Sequence, residues 1–475
     1  MKRAAFLALM LAGCSMDPKY VQPEAPVPPS WPVGDAYLKT SEATLPTVTY
    51  RDIFRDARLQ ALIEQALANN RDLRVAAANI RAARAQYRIQ RADRFPEVTA
   101  SVGATEQGGT TSGTNGQGTR SSFTASGGVT GFELDLFGRV ASLTRAEQNR
   151  YFASEAGARA TRLTLIGDIA DAWLTYAADA SLLRIAQDTA SNAENSVKLT
   201  RARLDGGIAP RTDLRQAEQI LEGARADLAE QTTALAQDIN ALQLLVGAPI
   251  DQARLAPSIE TAGPTIAELP AGVDSGVLLR RPDVVQAEYT LRAANAEIGA
   301  ARAALFPRIS LTGLLGLASN ALTGLFSGGG FNWSAGGDAS YSIFNAGAGR
   351  ANVRLTEAQR DAAVATYEKA IQSAFREVAD ALARRGTITE QVRATTAQST
   401  AAADTYRLTE ARYRGGIDTF LSSLDAQRSL YTAQRAVVAV ELQQASNLVT
   451  LYRTLGGDSL LNASETGPVP ATQRP

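Results

Sequence analysis

The chain contains one unit twice. Residues Asp72 to Pro96 align without a gap with Asp283 to Pro307, 211 positions further on. Both segments run into the same kind of strand entry, Phe95-Pro96-Glu97-Val98-Thr99 and Phe306-Pro307-Arg308-Ile309-Ser310. Downstream the offset becomes 209: Gly206-Gly207-Ile208 matches Gly415-Gly416-Ile417, and Ala217, Leu221, Ala224, Leu242 and Gly247 match Ala426, Leu430, Ala433, Leu451 and Gly456. A repeat of about 200 residues is far longer than a solenoid unit. It is a duplicated half-domain, so the two halves should be pseudo-symmetric and share one job.

The side-chain inventory argues against chemistry. Forty-eight basic residues balance 48 acidic ones, so no nucleic acid or other polyanionic partner is advertised. Histidine is absent, which removes the commonest metal ligand and the side chain that titrates unperturbed near neutrality. A single cysteine rules out an intrachain disulfide. No nucleophile with its base, and no cofactor or metal-ligand set, stands out, so an enzyme is the disfavoured class.

The N-terminus reads as an address. Met1-Lys2-Arg3 is a charged start, Ala4 to Leu11 a short apolar run, and Leu11-Ala12-Gly13-Cys14 a lipobox pattern. The apolar run is much shorter than the roughly 20 residues a spanning helix needs, so 1–13 is a signal peptide. The only cysteine stands at the lipobox position, and the prolines at 18, 23, 26, 28, 29 and 32 read as a tether over 14–50; the plainer alternative is a secretory signal with an incidental cysteine. The pattern resembles bacterial lipoproteins. That resemblance implies acylation of Cys14 and, because Ser15 follows rather than aspartate, sorting to the outer membrane.

No proline occurs between Pro96 and Pro210 or between Pro307 and Pro468. Residues 139–205 and 351–414 are rich in Ala, Leu, Arg, Glu and Gln, strong helix formers. Each predicts a helix of about 65 residues, on the order of 100 Å at 1.5 Å per residue. Leu163, Ile166, Ile169, Ala170, Trp173, Leu174 and Ala177 keep to one stripe. Each long helix ends at a Gly-Gly turn and is followed by a shorter one, 210–246 or 418–455; others precede the strands at 72–94 and 283–305. The two shorter lengths together nearly equal the long one. They should therefore stack end to end beside it, making a coiled-coil wall.

After each Phe-Pro the period becomes two. Val98, Ala100, Val102 and Ala104 alternate with polar residues, as do Ile309, Leu311, Gly313 and Leu315. A Gly/Ser/Thr loop over 103–122 leads to a return strand with a slip near Gly131. Phe331, Trp333, Ala335, Ala339, Tyr341 and Ile343 share one face of the fourth strand. Strands of about 10 residues with one apolar face suit a transmembrane barrel or a soluble hairpin alike. Four strands cannot close, and an open edge in lipid leaves backbone groups unsatisfied. If the strands are in a membrane the chain must oligomerise, and three copies with twelve strands leave a lumen that eight strands would fill.

These features resemble the outer-membrane efflux family, the TolC-like channels, most closely the NodT-type lipoproteins of RND efflux systems. Besides the duplicated helix–Phe-Pro–strand unit, the resemblance is carried by Glu133-Leu134-Asp135-Leu136-Phe137-Gly138-Arg139 and by Tyr413-Arg414-Gly415-Gly416-Ile417 with Leu424-Asp425-Ala426-Gln427-Arg428. It implies a mainly α fold with a β-barrel portion: as a homotrimer, a twelve-stranded barrel in the outer membrane on a long periplasmic α-helical barrel. Mid-length helices over 52–69 and parts of 255–280 would form an equatorial belt. It also implies a passive duct for drugs and other small molecules, served by a periplasmic membrane-fusion adaptor and an inner-membrane RND pump. The repeats fall at 51–250, with a hairpin about 97–137, and at 251–457, with a hairpin about 308–345; 458–475 reads as a flexible tail.

Leu421, Asp425 and Arg428 lie at i, i+4 and i+7, on one face of the helix entered from the second Gly-Gly turn. Around a three-fold axis Leu421 becomes an apolar ring and Asp425 an acidic ring, the elements of a gate. The family implies that these positions narrow the resting pore and that Tyr413 and Arg428 match residues whose bonds hold it shut. The plain alternative is a solvated Asp425–Arg428 pair. Two further readings remain: a type I protein-secretion duct, and a structural coiled-coil lipoprotein without a pore.

Overall fold

Long proline-free runs of helix formers become the longest elements of the fold. The computed structural model describes residues 15–32, 34, 37, 49–110, 117–268, 275–327 and 330–471. The first half holds α1 (Tyr50–Ile53), α2 (Ala57–Asn69), α3 (Arg71–Ala92), β1 (Val98–Thr110), β2 (Gln117–Glu133), α4 (Arg139–Asp205) and α5 (Arg211–Val246). The second holds α6 (Ile259–Ala262), α7 (Pro282–Ala303), β3 (Arg308–Ser319), β4 (Phe331–Ser340), α8 (Ala348–Arg414), α9 (Phe420–Thr454), β5 (Leu461–Ser464) and β6 (Gly467–Pro470). Helices α4 and α8 have 67 residues each, and α3 and α7 have 22 each. The helix expected over 52–69 is broken, because Phe54 leaves it to bridge Ile266 and Asp56 caps α2 by accepting the Arg58 N–H at 2.8 Å. The chain forms two compact units, one of 1–24, 79–154 and 286–367, the other of 25–78, 155–285 and 368–475.

The first unit contains one antiparallel sheet in the order β1-β2-β3-β4. Its hairpins come from different repeats and join through β2 and β3, with a register shift between Val129 and Phe132 at the expected slip. Much of the segment expected as a loop over 103–122 is strand instead, paired out to Thr110 and Gln117. Gly, Ser and Thr hide the alternation there, yet the ladder needs only their backbone. Cross-strand rows Ala100–Gly127–Leu315–Trp333 and Val102–Ala125–Leu317–Phe331 build a continuous apolar face. Among the described residues nothing covers it: Trp333 is 69% exposed and Val102 83%. Strands β1 and β4 are its edges.

The 133–139 motif makes the turn from sheet to helix. Glu133 pairs with Arg139 at 2.6 Å. Asp135 caps α4 by accepting the N–H groups of Val140 at 3.0 Å and Ala141 at 2.7 Å, and Phe137 stacks on Phe306 at 4.7 Å. The proline-rich segment is not a free tether over its described part. Residues 15–24 lie as a strap within the first unit, where Asn295 Nδ2 donates to the Pro18 carbonyl at 2.8 Å.

In the second unit, α5 meets α3 end to end: Asn70 Nδ2 donates to the Leu245 carbonyl at 2.7 Å. Arg281, 211 positions on, does the same for α9 and α7 through the Thr454 carbonyl at 2.9 Å. The core of this unit includes Leu59, Leu62 and Ile63, all fully buried, Phe54 against Tyr452 at 5.3 Å, and Trp173 Nε1 donating to the Arg254 carbonyl at 3.0 Å. Trp31 is buried here, stacked on Phe375 at 4.8 Å. The expected flexible tail is ordered through residue 471: β5 and β6 pair, because Leu461 is fully buried and holds the hairpin down. Among the described residues no helix is long and apolar enough to cross a membrane.

Candidate gate at the helix tips

Both tips, which lie in the second unit, are built by the same turn. Gly207 (φ 74°) and Gly416 (φ 73°) take left-handed backbone that glycine alone adopts without strain. The Ile208 and Ile417 N–H groups then reach back to the Arg203 and Arg412 carbonyls, each at 2.9 Å, closing a Schellman end. In the second repeat Thr419 caps α9 by accepting the Ser422 N–H at 3.3 Å.

Beneath the tips the repeats share one core, with Ala193, Val197, Leu214, Ala217 and Leu221 from the first and Tyr413, Phe420 and Leu424 from the second. Tyr413 lies 5.2 Å from Phe420 by ring centroids and is buried; its hydroxyl has no hydrogen-bond partner among the described residues. The Arg203 guanidinium stands 4.5 Å over the Tyr413 ring and donates to the Arg414 carbonyl at 3.2 Å. Arg412, the counterpart of Arg203, is instead held by Asp418 at 2.6 Å, which lowers the Asp418 carboxyl below its ordinary range. Position 209, the counterpart of Asp418, is alanine, so Arg203 has no such local partner and reaches across.

The four residues read as a gate are thus divided. Leu421, Asp425 and Arg428 share the face of α9 opposite the core, and all three are exposed, Leu421 at 55%. No ion pair joins Asp425 to Arg428 among the described residues, so the plain solvated pair is not what this face presents. Tyr413 points the other way, into the core. Arg203, Arg412 and Asp418 were not singled out from sequence; the signal was the Arg-and-Asp pair bracketing Gly415-Gly416 in one repeat and broken in the other. Cys14 lies outside the described residues.

An unclosed sheet with an uncovered apolar face, and long paired helices whose tips expose an apolar and a charged position, are features that suit a channel-forming membrane protein. The Outer membrane efflux protein family matches residues 62–248 and again 275–457, and the chain belongs to that family. It is 45% identical over 457 residues to the probable efflux pump outer membrane protein TtgC of Pseudomonas putida, covering 95% of this chain and 94% of the relative. It is 41% identical over 457 residues to outer membrane protein OprJ of Pseudomonas aeruginosa, covering 96% and 95%. Its fold superposes on the open state of the Neisseria gonorrhoeae MtrE outer membrane channel with a TM-score of 0.83 at 36% identity, covering 94% and 98%. The protein is an efflux channel of the outer membrane, a transport duct and not an enzyme.

Proposed function

We propose that three copies close their sheets into one twelve-stranded barrel above a tube of their helices, forming a passive exit duct. The observation that carries this is the four-stranded sheet with two unpaired edges and a bare apolar face. In lipid the face is satisfied but the edges are not, and only closure by other copies removes them. Strands of 10 to 17 residues are long enough for the roughly 9–11 a tilted transmembrane strand needs. An adaptor and an inner-membrane RND pump would feed the duct, and an acyl group on Cys14 would add a lipid anchor. Relatives named for antibiotic and toluene efflux support small, largely apolar molecules as cargo.

In this reading Leu421 and Asp425 narrow the tip around the three-fold axis, with Arg428 one turn further on. Planar-bilayer recordings on the purified protein test it: discrete conductance steps are expected, and their absence would leave a structural coiled-coil lipoprotein. Leu421→Ala with Asp425→Ala should raise the single-channel conductance several-fold and make cells leakier to antibiotics. Unchanged conductance in an otherwise conducting double variant would remove the gate assignment.

A further inference from the structure

One face of α7 is occupied by the N-terminal strap. Glu288, Arg292, Asn295 and Gly299 fall at i, i+4, i+7 and i+11, and each meets it. Gln22 Nε2 donates to Tyr367 Oη at 3.0 Å, and Tyr20 Oη to Glu288 at 3.2 Å; the Arg292 guanidinium lies 4.8 Å from the Tyr20 ring, and Asn295 holds the Pro18 carbonyl. At the end of the stripe the Asp17 carboxylate sits over Gly299 and accepts from Ser142 Oγ and Arg145 Nε, both at 2.6 Å. A methyl group on residue 299 would overlap Asp17 Oδ1 and stand 2.8 Å from its Cγ and its backbone N. The socket admits the strap only because that side chain is missing.

The first repeat has no such receptor. The equivalent positions of α3, 211 residues earlier, are Ala77, Arg81, Arg84 and Arg88, all exposed. The chain has one strap and two pseudo-equivalent faces, and only one is shaped for it.

We propose that Asp17 is a lock: seated over Gly299 between Ser142 and Arg145, it fixes the N-terminal segment to the first two turns of α4, just beyond the end of β2. It lies three positions after Cys14, so the chain ties the attachment point of whatever that cysteine carries to within about 11 Å of the lock. The consequence for a lipid anchor rests on the lipoprotein reading above; the lock itself does not. Its effect is to deliver the acyl chain to one place at the foot of the sheet rather than on a loose leash.

Lys19 supplies the test, as the only basic residue between Ser15 and Pro32 and an exposed one. A docked backbone resists trypsin because cleavage requires local release. In outer membranes holding the full-length protein, Asp17→Ala and Gly299→Ala should be nicked after Lys19 at least about ten-fold faster than wild type, with Asp17→Asn between them. Arg88→Ala, on the equivalent face of the first repeat, should match wild type. Cuts confined to Lys19 report release of the strap. Should either disruptive variant be cut throughout, Asp17→Asn, which keeps the volume of the side chain, decides. Wild-type nicking rates in the folded variants would overturn the lock. Mass spectrometry of the N-terminal peptide separates the two ideas: an unacylated Cys14 overturns the lipid anchor and leaves the lock standing.

Discussion

The end-to-end joint occurs once in each repeat, built to the same geometry with different chemistry. In both, the C-terminus of the shorter tip helix presents a carbonyl that lacks an intrahelical partner, and the residue preceding the next helix donates to it. In the first repeat the donor is a neutral amide: Asn70 is 3% exposed and also accepts the Leu73 N–H at 3.0 Å. In the second it is a guanidinium: Arg281, 8% exposed, pairs in addition with Asp283 at 2.7 Å and Glu377 at 3.1 Å. Duplication therefore preserved the demand of the backbone and left the means of meeting it free. The charged version carries more risk, because a buried guanidinium is tolerable only while its partners stay.

The largest expected effect breaks that comparison directly. Arg281→Ala removes the donor to Thr454 and strands two carboxylates that are themselves about 40% exposed, 44% for Asp283 and 41% for Glu377. It should cost about 3 kcal/mol, against about 1 kcal/mol for Asn70→Ala. Denaturant midpoints of the detergent-solubilised protein measure both. Equal losses would mean that only the carbonyl matters and that the ion pairs add nothing.

The tips give a smaller contrast. Arg203 crosses to Tyr413 while its counterpart Arg412 stays with Asp418. Arg203→Ala should cost about 1 kcal/mol, the scale of a partly exposed cation–π contact. Tyr413→Phe should be neutral or slightly stabilising by the same measurement, because the hydroxyl it removes is buried without a partner. If Tyr413→Phe costs as much as Arg203→Ala, the hydroxyl has a partner in another copy. The gate reading then gains a bond that is absent among the described residues of one chain.

The helices were legible because their signals are local. The pattern marks 139–205 to the residue, since strong helix formers run there with only Gly157 and Gly167 among them and a Gly-Gly turn ends the run. The slip near Gly131 was legible for the same reason, as a break in a two-residue period. What escaped was set at a distance. Strand pairing through Gly103–Thr110 depends on Gln117–Thr124 and not on its own pattern. The strap read as a tether because proline marks flexible segments, yet Pro18, Tyr20 and Gln22 find partners more than 250 positions away. At the tip, helical spacing correctly put Leu421, Asp425 and Arg428 on one face. It could not show that Tyr413, outside that helix, turns inward.

The subtlest difference between the repeats concerns charge. Asp179 of α4 and Asp238 of α5 face each other, while the positions 209 residues on are Ile388 and Asn447. Both of those are buried, and Asn447 Nδ2 donates to the Ala381 carbonyl at 3.0 Å. Burial, and then the facing Asp179 charge, push the Asp238 carboxyl up to about 7; burial raises Asp179 as well. Tyr176 stands nearby, its hydroxyl raised by burial and by Asp238. Between its ordinary value of 3.8 and about 7, the folded chain holds a proton on Asp238 that the unfolded chain has released. Stability must therefore fall as pH rises through that window, and the loss is complete above it. Asp238→Asn should raise the thermal midpoint at pH 8 and leave no charge-dependent difference at pH 3, below the window. The reverse change, Asn447→Asp, should bring a similar loss of stability with rising pH into the second repeat. Parallel pH profiles for wild type and Asp238→Asn would show that the carboxyl pair does not titrate in this range and that the repeats are electrostatically alike.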